Sequence, residues 1–143
     1  MGIVGLGQIG RAVMQRLRPF GVTKFVYSGR TKKAEDWEEG AEFVPFDDLL
    51  KSSDFVIVTC SYTPEMQVLF SEIDFRLFRL LQHMFDSRAF GLMKKTSILI
   101  NTSRGGIIQQ DDLVEALKSG GIFAAGQLGF WACLAPKIDQ TSG

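Results

Sequence analysis

Three glycines near the start of the chain constrain its fold more than any other feature. Gly5, Gly7 and Gly10 form a Gly-x-Gly-x-x-Gly pattern between a short apolar run and a helix-like stretch. The first glycine permits a tight turn, the second lets the backbone approach phosphates, and the third lets helix and strand pack closely. The pattern predicts that these glycines, with the intervening Gln8 and Ile9, hold a dinucleotide pyrophosphate. The alternative is a glycine-rich turn that binds no ligand.

Strand-like and helix-like segments alternate along the rest of the chain. Strand patterns occur at 24–27, 42–44, 54–60, 97–101 and 123–126, and helix patterns at 46–53 and 111–119. The run at 54–60 is almost continuously apolar, as expected for a strand that is covered on both faces. This alternation predicts an α/β fold with a doubly wound, mostly parallel sheet of the Rossmann type.

Composition excludes several classes of partner. The 143 residues suffice for one domain with a sizeable core. With 16 basic and 16 acidic residues the formal net charge is +0, so no basic field favours nucleic acid or an anionic membrane surface. No apolar run approaches the length of a membrane span. The two cysteines, Cys60 and Cys133, lack metal-ligand spacing, and we expect reduced thiols in a cytoplasmic protein rather than a disulfide.

The end of the second predicted strand indicates which dinucleotide binds. NAD sites usually carry an acid there, about 20 residues after the last glycine, to bind the ribose 2′-hydroxyl. This chain has Ser28 at that place, followed closely by Arg30 and Thr31. A hydroxyl and a guanidinium can donate to a 2′-phosphate that a carboxylate would repel. The sequence therefore predicts NADP(H), with NAD(H) as the second choice; the alternative is a solvated basic loop.

One segment breaks the alternation. Residues 71–88 carry apolar side chains at helical spacing on a wide stripe, among them Phe75, Phe78 and Phe85. We interpret the segment as an atypical helical insert, which is either an amphipathic helix packed on the domain or foreign sequence without a partner surface. It contains His83, the one histidine of the chain, which we expect on a surface rather than in catalysis.

Three further segments, at 60–64, 93–96 and 100–106, carry a resemblance to a known family. Together with the glycine motif they resemble the D-2-hydroxyacid dehydrogenases. The Tyr-Ser-Gly-Arg stretch at 27–30 and the Gln-Asp-Asp-Leu helix start at 110–113 most resemble the glyoxylate/hydroxypyruvate reductases of that family. The resemblance covers about residues 1–70 and 90–126. Its most specific part is the Asn-Thr-Ser-Arg-Gly motif at 101–105.

The resemblance implies roles for particular residues. Arg104 would be catalytic, because a guanidinium stays protonated, binds the carboxylate of a 2-oxoacid and helps to polarise its carbonyl. The alternative is a structural arginine that follows a strand. The loop from Cys60 onward would line the nicotinamide side of the cofactor, although Ser61 and Thr63 can equally be turn residues. The cofactor-binding residues implied in these segments are Cys60, Ser61, Thr63, Thr102 and Ser103.

The sequence also departs from the family. Relatives protonate the product alkoxide with a His oriented by a Glu, both beyond the sixth strand, and neither has a counterpart here. After Gly126 the family's Leu-Asp-Val is replaced by Gln-Leu-Gly. We therefore expect a dinucleotide-binding domain at 1–126, interrupted by the insert at 71–88, with a divergent tail at 127–143. The substrate domain would be absent and the sheet incomplete on its C-terminal side.

Three functions follow from these observations. The resemblance implies an NAD(P)-dependent oxidoreductase that transfers hydride between NADPH and a small 2-oxoacid, and a homodimer formed through the cofactor domain. The chain alone is expected to be inactive, since it lacks the acid and half of the substrate cleft. The alternatives are a non-catalytic dinucleotide-binding or interaction module and a non-functional splice fragment.

Overall fold

The computed structural model describes residues 1–60, 83–103 and 105–128. Within them, six parallel strands form one sheet in the order β3-β2-β1-β4-β5-β6. The predicted doubly wound α/β fold is therefore confirmed. The strands are β1 (Gly2–Val4), β2 (Val26–Ser28), β3 (Glu42–Phe43), β4 (Phe55–Val58), β5 (Ile98–Asn101) and β6 (Ala124–Gln127). The helices are α1 (Gln8–Leu17), α2 (Glu35–Glu38), α3 (Phe46–Ser52), α4 (Ser87–Leu92) and α5 (Gln110–Lys118), with 3₁₀ turns at Arg18–Phe20 and Gly105–Ile107.

The chain reverses its direction of travel across the sheet beside β1. From β1 it proceeds outward through β2 to β3, and then returns to place β4 on the other side of β1. β2 and β5, the strands that follow β1 and β4 in the chain, therefore lie on opposite sides of the switch point between β1 and β4. In open α/β sheets this divergence opens a crevice at the carboxyl ends of the strands, where ligands bind.

Alternate residues of the central strands pack on opposite faces of the sheet. Ile3 lies in a cluster with Met14 of α1, whereas the adjacent Val4 lies in a cluster with Leu49 of α3. The second cluster also contains residues of α4 and α5. The strands are thus covered on both faces, which explains why 54–60 has no polar alternation.

The helix expected over 71–88 is wrong for residues 83–86, and residues 71–82 lie outside the described residues. Phe85 forms a parallel bridge with Ile108 and is fully buried. A new helix, α4, begins after Asp86, whose carboxylate Oδ1 accepts from the backbone N–H of Ala89 at 2.9 Å. The helical spacing of the apolar residues predicted one uninterrupted helix, because a periodic pattern does not reveal a helix N-cap such as Asp86.

The remaining domain boundaries stay predictions. The divergent tail and the expected incompleteness of the sheet concern residues beyond β6, and 129–143 lie outside the described residues. Across the parts of the chain that the structure describes, none of the helices combines the length and apolar character of a membrane span.

Candidate cofactor site

The turn between β1 and α1 requires glycine at its first position. Gly5 has φ +94°, a conformation that side chains other than glycine rarely adopt. A Cβ atom here would also lie 2.8 Å from the Cα atom of Cys60. The N–H of Gly5 donates to the carbonyl oxygen of Ser28 at 2.8 Å, which joins the turn to the carboxyl end of β2.

The other two glycines serve different purposes. A Cβ on Gly10 would lie 2.7 Å from the carbonyl oxygen of Gly5 and 2.8 Å from the Oγ1 atom of Thr59, so α1 packs too closely for any side chain. A Cβ on Gly7 would meet no atom within 4 Å among the described residues. Packing therefore does not require glycine at position 7. The open space above its backbone is where a phosphate can approach.

The N-terminus of α1 fits an anion. Gly7 is its N-cap, with no side-chain cap among the described residues and no acid in the first turn. The first backbone N–H groups of a helix lack intrahelical partners, and the helix dipole adds positive potential there. Gln8 and Ile9 are both exposed beside these groups, Ile9 by 57%. The donor set and the open approach fit a pyrophosphate.

Thr59 belongs to the framework of this site, although no sequence motif identifies it. Its hydroxyl donates to the carbonyl oxygen of Gly5 at 2.7 Å, and the residue is only 4% exposed. The bond ties the end of β4 to the glycine turn across the switch point. The available signal was a hydroxyl residue near the end of an otherwise apolar run.

The loop after β2 presents donors that have no partner inside the described chain. Ser28 is half-buried at the end of the strand, whereas Arg30 and Thr31 are exposed. The Arg30 guanidinium makes neither an ion pair nor a hydrogen bond within the described residues. A 2′-phosphate would meet a hydroxyl and a free guanidinium here.

The short helix α2 is a further part of the site that the sequence did not predict. The indole Nε1–H of Trp37 donates to the carbonyl oxygen of Leu6 at 3.0 Å, which attaches α2 to the glycine turn. The available signal was the acidic start of the helix at Glu35 and Asp36, which suits a helix N-terminus. Four residues were too few for a periodic pattern to reveal it.

The carboxyl ends of β4 and β5 bring together three of the residues predicted for the nicotinamide side. The hydroxyl groups of Thr102 and Ser103 donate to the carbonyl oxygen of Val58 at 2.8 Å and 3.3 Å. The Ser103 Oγ atom also lies 4.0 Å from the Sγ atom of Cys60. Burial raises the pKa of the Cys60 thiol, so the group is protonated at neutral pH.

The other predicted residues are placed as follows. Ser61, Thr63 and Arg104 lie outside the described residues. His83 is exposed and has φ +55°, and its backbone N–H donates to the carbonyl oxygen of Gly106 at 2.9 Å. Within the described residues, His, Cys, Asp and Glu side chains form no group of three that could hold a metal ion.

Comparison with known sequences gives the same family as the motifs. The sequence profile described as "D-isomer specific 2-hydroxyacid dehydrogenase, NAD binding domain" matches residues 1–80 and 79–128. Glyoxylate reductase/hydroxypyruvate reductase of Mus musculus is 46% identical over 127 residues, which is 88% of this chain and 34% of that protein. Glyoxylate reductase of Thermococcus litoralis is 42% identical over the same shares. The chain thus spans about a third of the length of these curated relatives.

Solved structures agree in fold. A putative D-isomer specific 2-hydroxyacid dehydrogenase from Polaromonas sp. JS6 66 matches with TM-score 0.74 and 34% identity, over 98% of this chain and 39% of that one. A glyoxylate reductase from Paecilomyes thermophila matches with TM-score 0.72 and 32% identity, over 88% and 34% of the two chains. The switch-point site and these matches agree: the chain belongs to the D-isomer specific 2-hydroxyacid dehydrogenase family and contains its NAD binding domain.

Proposed function

We propose that this chain is the NADP(H)-binding domain of an oxidoreductase that transfers hydride between NADPH and a small 2-oxoacid. The observation that carries the proposal is the glycine turn at the switch point. Gly5 and Gly10 are required there by conformation and packing, whereas Gly7 faces open space beside an uncapped helix N-terminus. This combination of close packing and open approach is what a bound pyrophosphate needs.

The preference for NADP(H) over NAD(H) is supported by the loop after β2. A 2′-phosphate needs donors that are not already engaged, and Arg30 has no partner among the described residues. Ser28 stands where an NAD site usually has an acid that accepts from the ribose 2′-hydroxyl. Where an NAD site has a carboxylate acceptor, this chain has the donors Ser28 and Arg30, which favours a ribose that carries a 2′-phosphate.

The 2-oxoacid substrate class is proposed from the relatives that are named glyoxylate reductase or hydroxypyruvate reductase. When bound, the nicotinamide ring would supply or accept the hydride. Cys60, Thr102 and Ser103 would lie on its side of the crevice, and Arg104 would bind the substrate carboxylate. Glyoxylate and hydroxypyruvate are the first substrates to test.

We further propose that these 143 residues bind the cofactor without turning over substrate. Reduction of a carbonyl needs a proton donor for the new alkoxide. The one histidine in the sequence is His83, an exposed residue. A non-catalytic dinucleotide-binding module is the second candidate function. It is favoured because the cofactor contacts proposed above all come from one domain and need no second one.

Isothermal titration calorimetry of the purified chain with NADP⁺ and NAD⁺ tests the binding proposal. We expect a single site with a lower Kd for NADP⁺. Equal or tighter binding of NAD⁺ would contradict the preference, and absence of binding to either would contradict the function. A parallel assay of NADPH oxidation with glyoxylate separates the two candidates: turnover would make the isolated chain an enzyme and contradict the binding-only proposal.

Two other expectations stay predictions. The homodimer implied by the resemblance can be tested by sedimentation equilibrium of the purified chain. The cytoplasmic location can be tested by imaging a tagged chain. The role of 71–88 as an insert is likewise a proposal, and the two profile matches meet within that segment at residues 79 and 80.

A further inference from the structure

We propose that Tyr27 and Glu38 are positioning residues that set the preference for NADP(H), because together they hold the loop that would receive the 2′-phosphate. The inference rests on the proposed function and names residues that act without touching the cofactor. It arises from a buried polar cluster of Tyr27 and Glu38 beside the site. The proposed roles of the glycine turn and of the Ser28 and Arg30 donors do not account for this cluster.

Tyr27 is the centre of this cluster. The residue is fully buried in β2, and its hydroxyl donates to the Oε1 atom of Glu38 in α2. The same hydroxyl oxygen accepts from the backbone N–H of Lys33 at 2.7 Å. Burial and the neighbouring carboxylate raise the pKa of Tyr27, so its hydroxyl remains a donor at neutral pH.

Two hydrogen bonds attach the loop after β2 at its two ends. The loop leaves β2 at Ser28, whose carbonyl oxygen accepts from the N–H of Gly5 at 2.8 Å. It is attached again at Lys33 through the Tyr27 hydroxyl. Arg30 and Thr31 lie between these attachments and are exposed. Arg30 and Thr31 are therefore carried on a segment that is bonded to the glycine turn at one end and to the Tyr27 side chain of β2 at the other.

Glu38 gives the cluster its charge balance. It is only 7% exposed, and a buried carboxylate requires hydrogen bonds or a counter-ion. Tyr27 supplies the hydrogen bond, and the Nζ atom of Lys32 lies 3.9 Å from the Oε2 atom. Lys32 is therefore engaged by Glu38, while Arg30 remains free for a ligand.

The helix α2 also connects this cluster to the glycine turn, at the pyrophosphate end of the site. Trp37, the residue before Glu38, donates to the carbonyl oxygen of Leu6 in the glycine turn at 3.0 Å. The guanidinium of Arg11 lies 4.7 Å from the centroid of the Trp37 ring, and its Nε–H donates to Glu39 at 2.7 Å. One short helix thus fixes the distance between the two places where a dinucleotide would present its phosphates.

Loss of this cluster should therefore change the affinity for NADP(H) more than the affinity for NAD(H). Loss of the Tyr27 hydroxyl frees Lys33 from the strand and leaves the loop less ordered. NADP(H) then loses preorganised contacts, whereas NAD(H), which has no 2′-phosphate, loses little. A residue that served only stability would lower the affinity for both cofactors together.

The test compares the ratio of Kd for NAD⁺ to Kd for NADP⁺ by calorimetry on the full chain. We expect Tyr27→Phe and Glu38→Ala to lower this ratio about tenfold, with the Kd for NAD⁺ changed by less than about twofold. Glu38→Gln keeps an amide oxygen to accept from Tyr27, and we expect it to retain most of the wild-type ratio. Phe43→Leu is the packing control, since the Phe43 ring contacts the Tyr27 ring at 5.2 Å between centroids. It should lower Tm and leave the ratio unchanged.

The outcomes separate the two proposals. A wild-type chain without NADP⁺ preference overturns both the proposed cofactor and this inference. A wild-type chain that prefers NADP⁺, with an unchanged ratio in Tyr27→Phe and Glu38→Ala, overturns the inference alone. Where Tyr27→Phe does not fold, the two Glu38 variants decide. A ratio of Kd values that is lower in Glu38→Ala than in Glu38→Gln supports the positioning role, and equal ratios overturn it.

Discussion

The hydroxyl of Thr59 donates to the carbonyl oxygen of Gly5 at 2.7 Å, across 54 residues of sequence. This bond joins the end of β4 to the turn that begins α1, on the two sides of the switch point. The shape of the proposed pyrophosphate cradle therefore depends on a residue that lies outside the glycine motif.

Replacement of this threonine by valine tests its contribution. Thr59→Val keeps the shape of the side chain and removes the donor to Gly5. The carbonyl retains the N–H of Gly7, which donates to it at 2.9 Å, so we expect a loss of about 1 kcal/mol in the free energy of unfolding. Thr96→Val, at an exposed position, is the matched control and should change stability by less than about 0.5 kcal/mol. Denaturant titration measures both, and equal stabilities would contradict the role of Thr59.

The glycine motif makes a sharper prediction, because its members differ in what surrounds them. In Gly10→Ala the Cβ would clash with the carbonyl oxygen of Gly5, and we expect a loss of about 1–3 kcal/mol of stability. In Gly7→Ala the Cβ meets no described atom within 4 Å, so stability should change by no more than about 1 kcal/mol. The methyl group would nevertheless occupy the space proposed for the phosphate. NADP⁺ affinity should therefore fall in a chain that still unfolds cooperatively, and unimpaired binding by Gly7→Ala would contradict the proposed approach path.

Arg30 should act only on the phosphorylated cofactor. Arg30→Ala removes a free guanidinium, and charged hydrogen bonds of this kind contribute about 1.5–3 kcal/mol, so we expect a rise of about ten- to a hundredfold in the Kd for NADP⁺. The Kd for NAD⁺ should stay within about twofold of wild type. Arg16→Ala is the control, because Arg16 is exposed in the last turn of α1, away from its N-terminus. A parallel loss of affinity for both cofactors in Arg30→Ala would contradict a contact with the 2′-phosphate.

Cys60 gives a prediction about pH. Burial raises its pKa above the ordinary 9.0, so the folded chain keeps the thiol proton at pH values where the unfolded chain has lost it. This contribution to stability is present below the unfolded pKa and is lost as pH rises through the folded value. In Cys133→Ser, where Cys60 is the remaining cysteine, the rate of alkylation by iodoacetamide should reach its midpoint above pH 9.0. A midpoint at or below that value would contradict the burial of the thiol.

The same variant tests whether Cys60 lies beside the cofactor. Saturating NADP⁺ should slow the alkylation of Cys60, because the ligand would cover the carboxyl ends of β4 and β5. Denatured Cys133→Ser, in which the thiol is fully accessible, provides the control. Unchanged alkylation of the folded variant with NADP⁺ bound would remove Cys60 from the cofactor site.

The elements that sequence predicted correctly are those with a local physical signature. In the strand β4 the buried residues 56–58 are apolar because both faces of the sheet are covered there, and the turn at Gly5 needs a positive φ. Both constraints act on adjacent residues and therefore appear in the order of the amino acids. The glycine motif could be located in the same way.

The contacts that sequence did not predict join distant residues. Glu38 is one of four acids at 35–39 in the sequence, and only the fold places it against Tyr27 in the neighbouring strand. Phe85 carried helical spacing, yet its burial results from a bridge to Ile108 and from packing with Phe46, where the ring centroids are 5.4 Å apart. Burial of this kind depends on partners that a periodic pattern cannot identify.

Thermal unfolding of the wild-type chain, alone and with saturating NADPH or NADH, tests the central claim most directly. A ligand at about 100 times its Kd adds roughly 2.7 kcal/mol to the stability of the folded state, which raises Tm by several degrees. We predict one cooperative transition that NADPH raises more than NADH. A larger rise with NADH would contradict the assignment of NADP(H), and a transition that neither cofactor moves would contradict a dinucleotide site at the glycine turn.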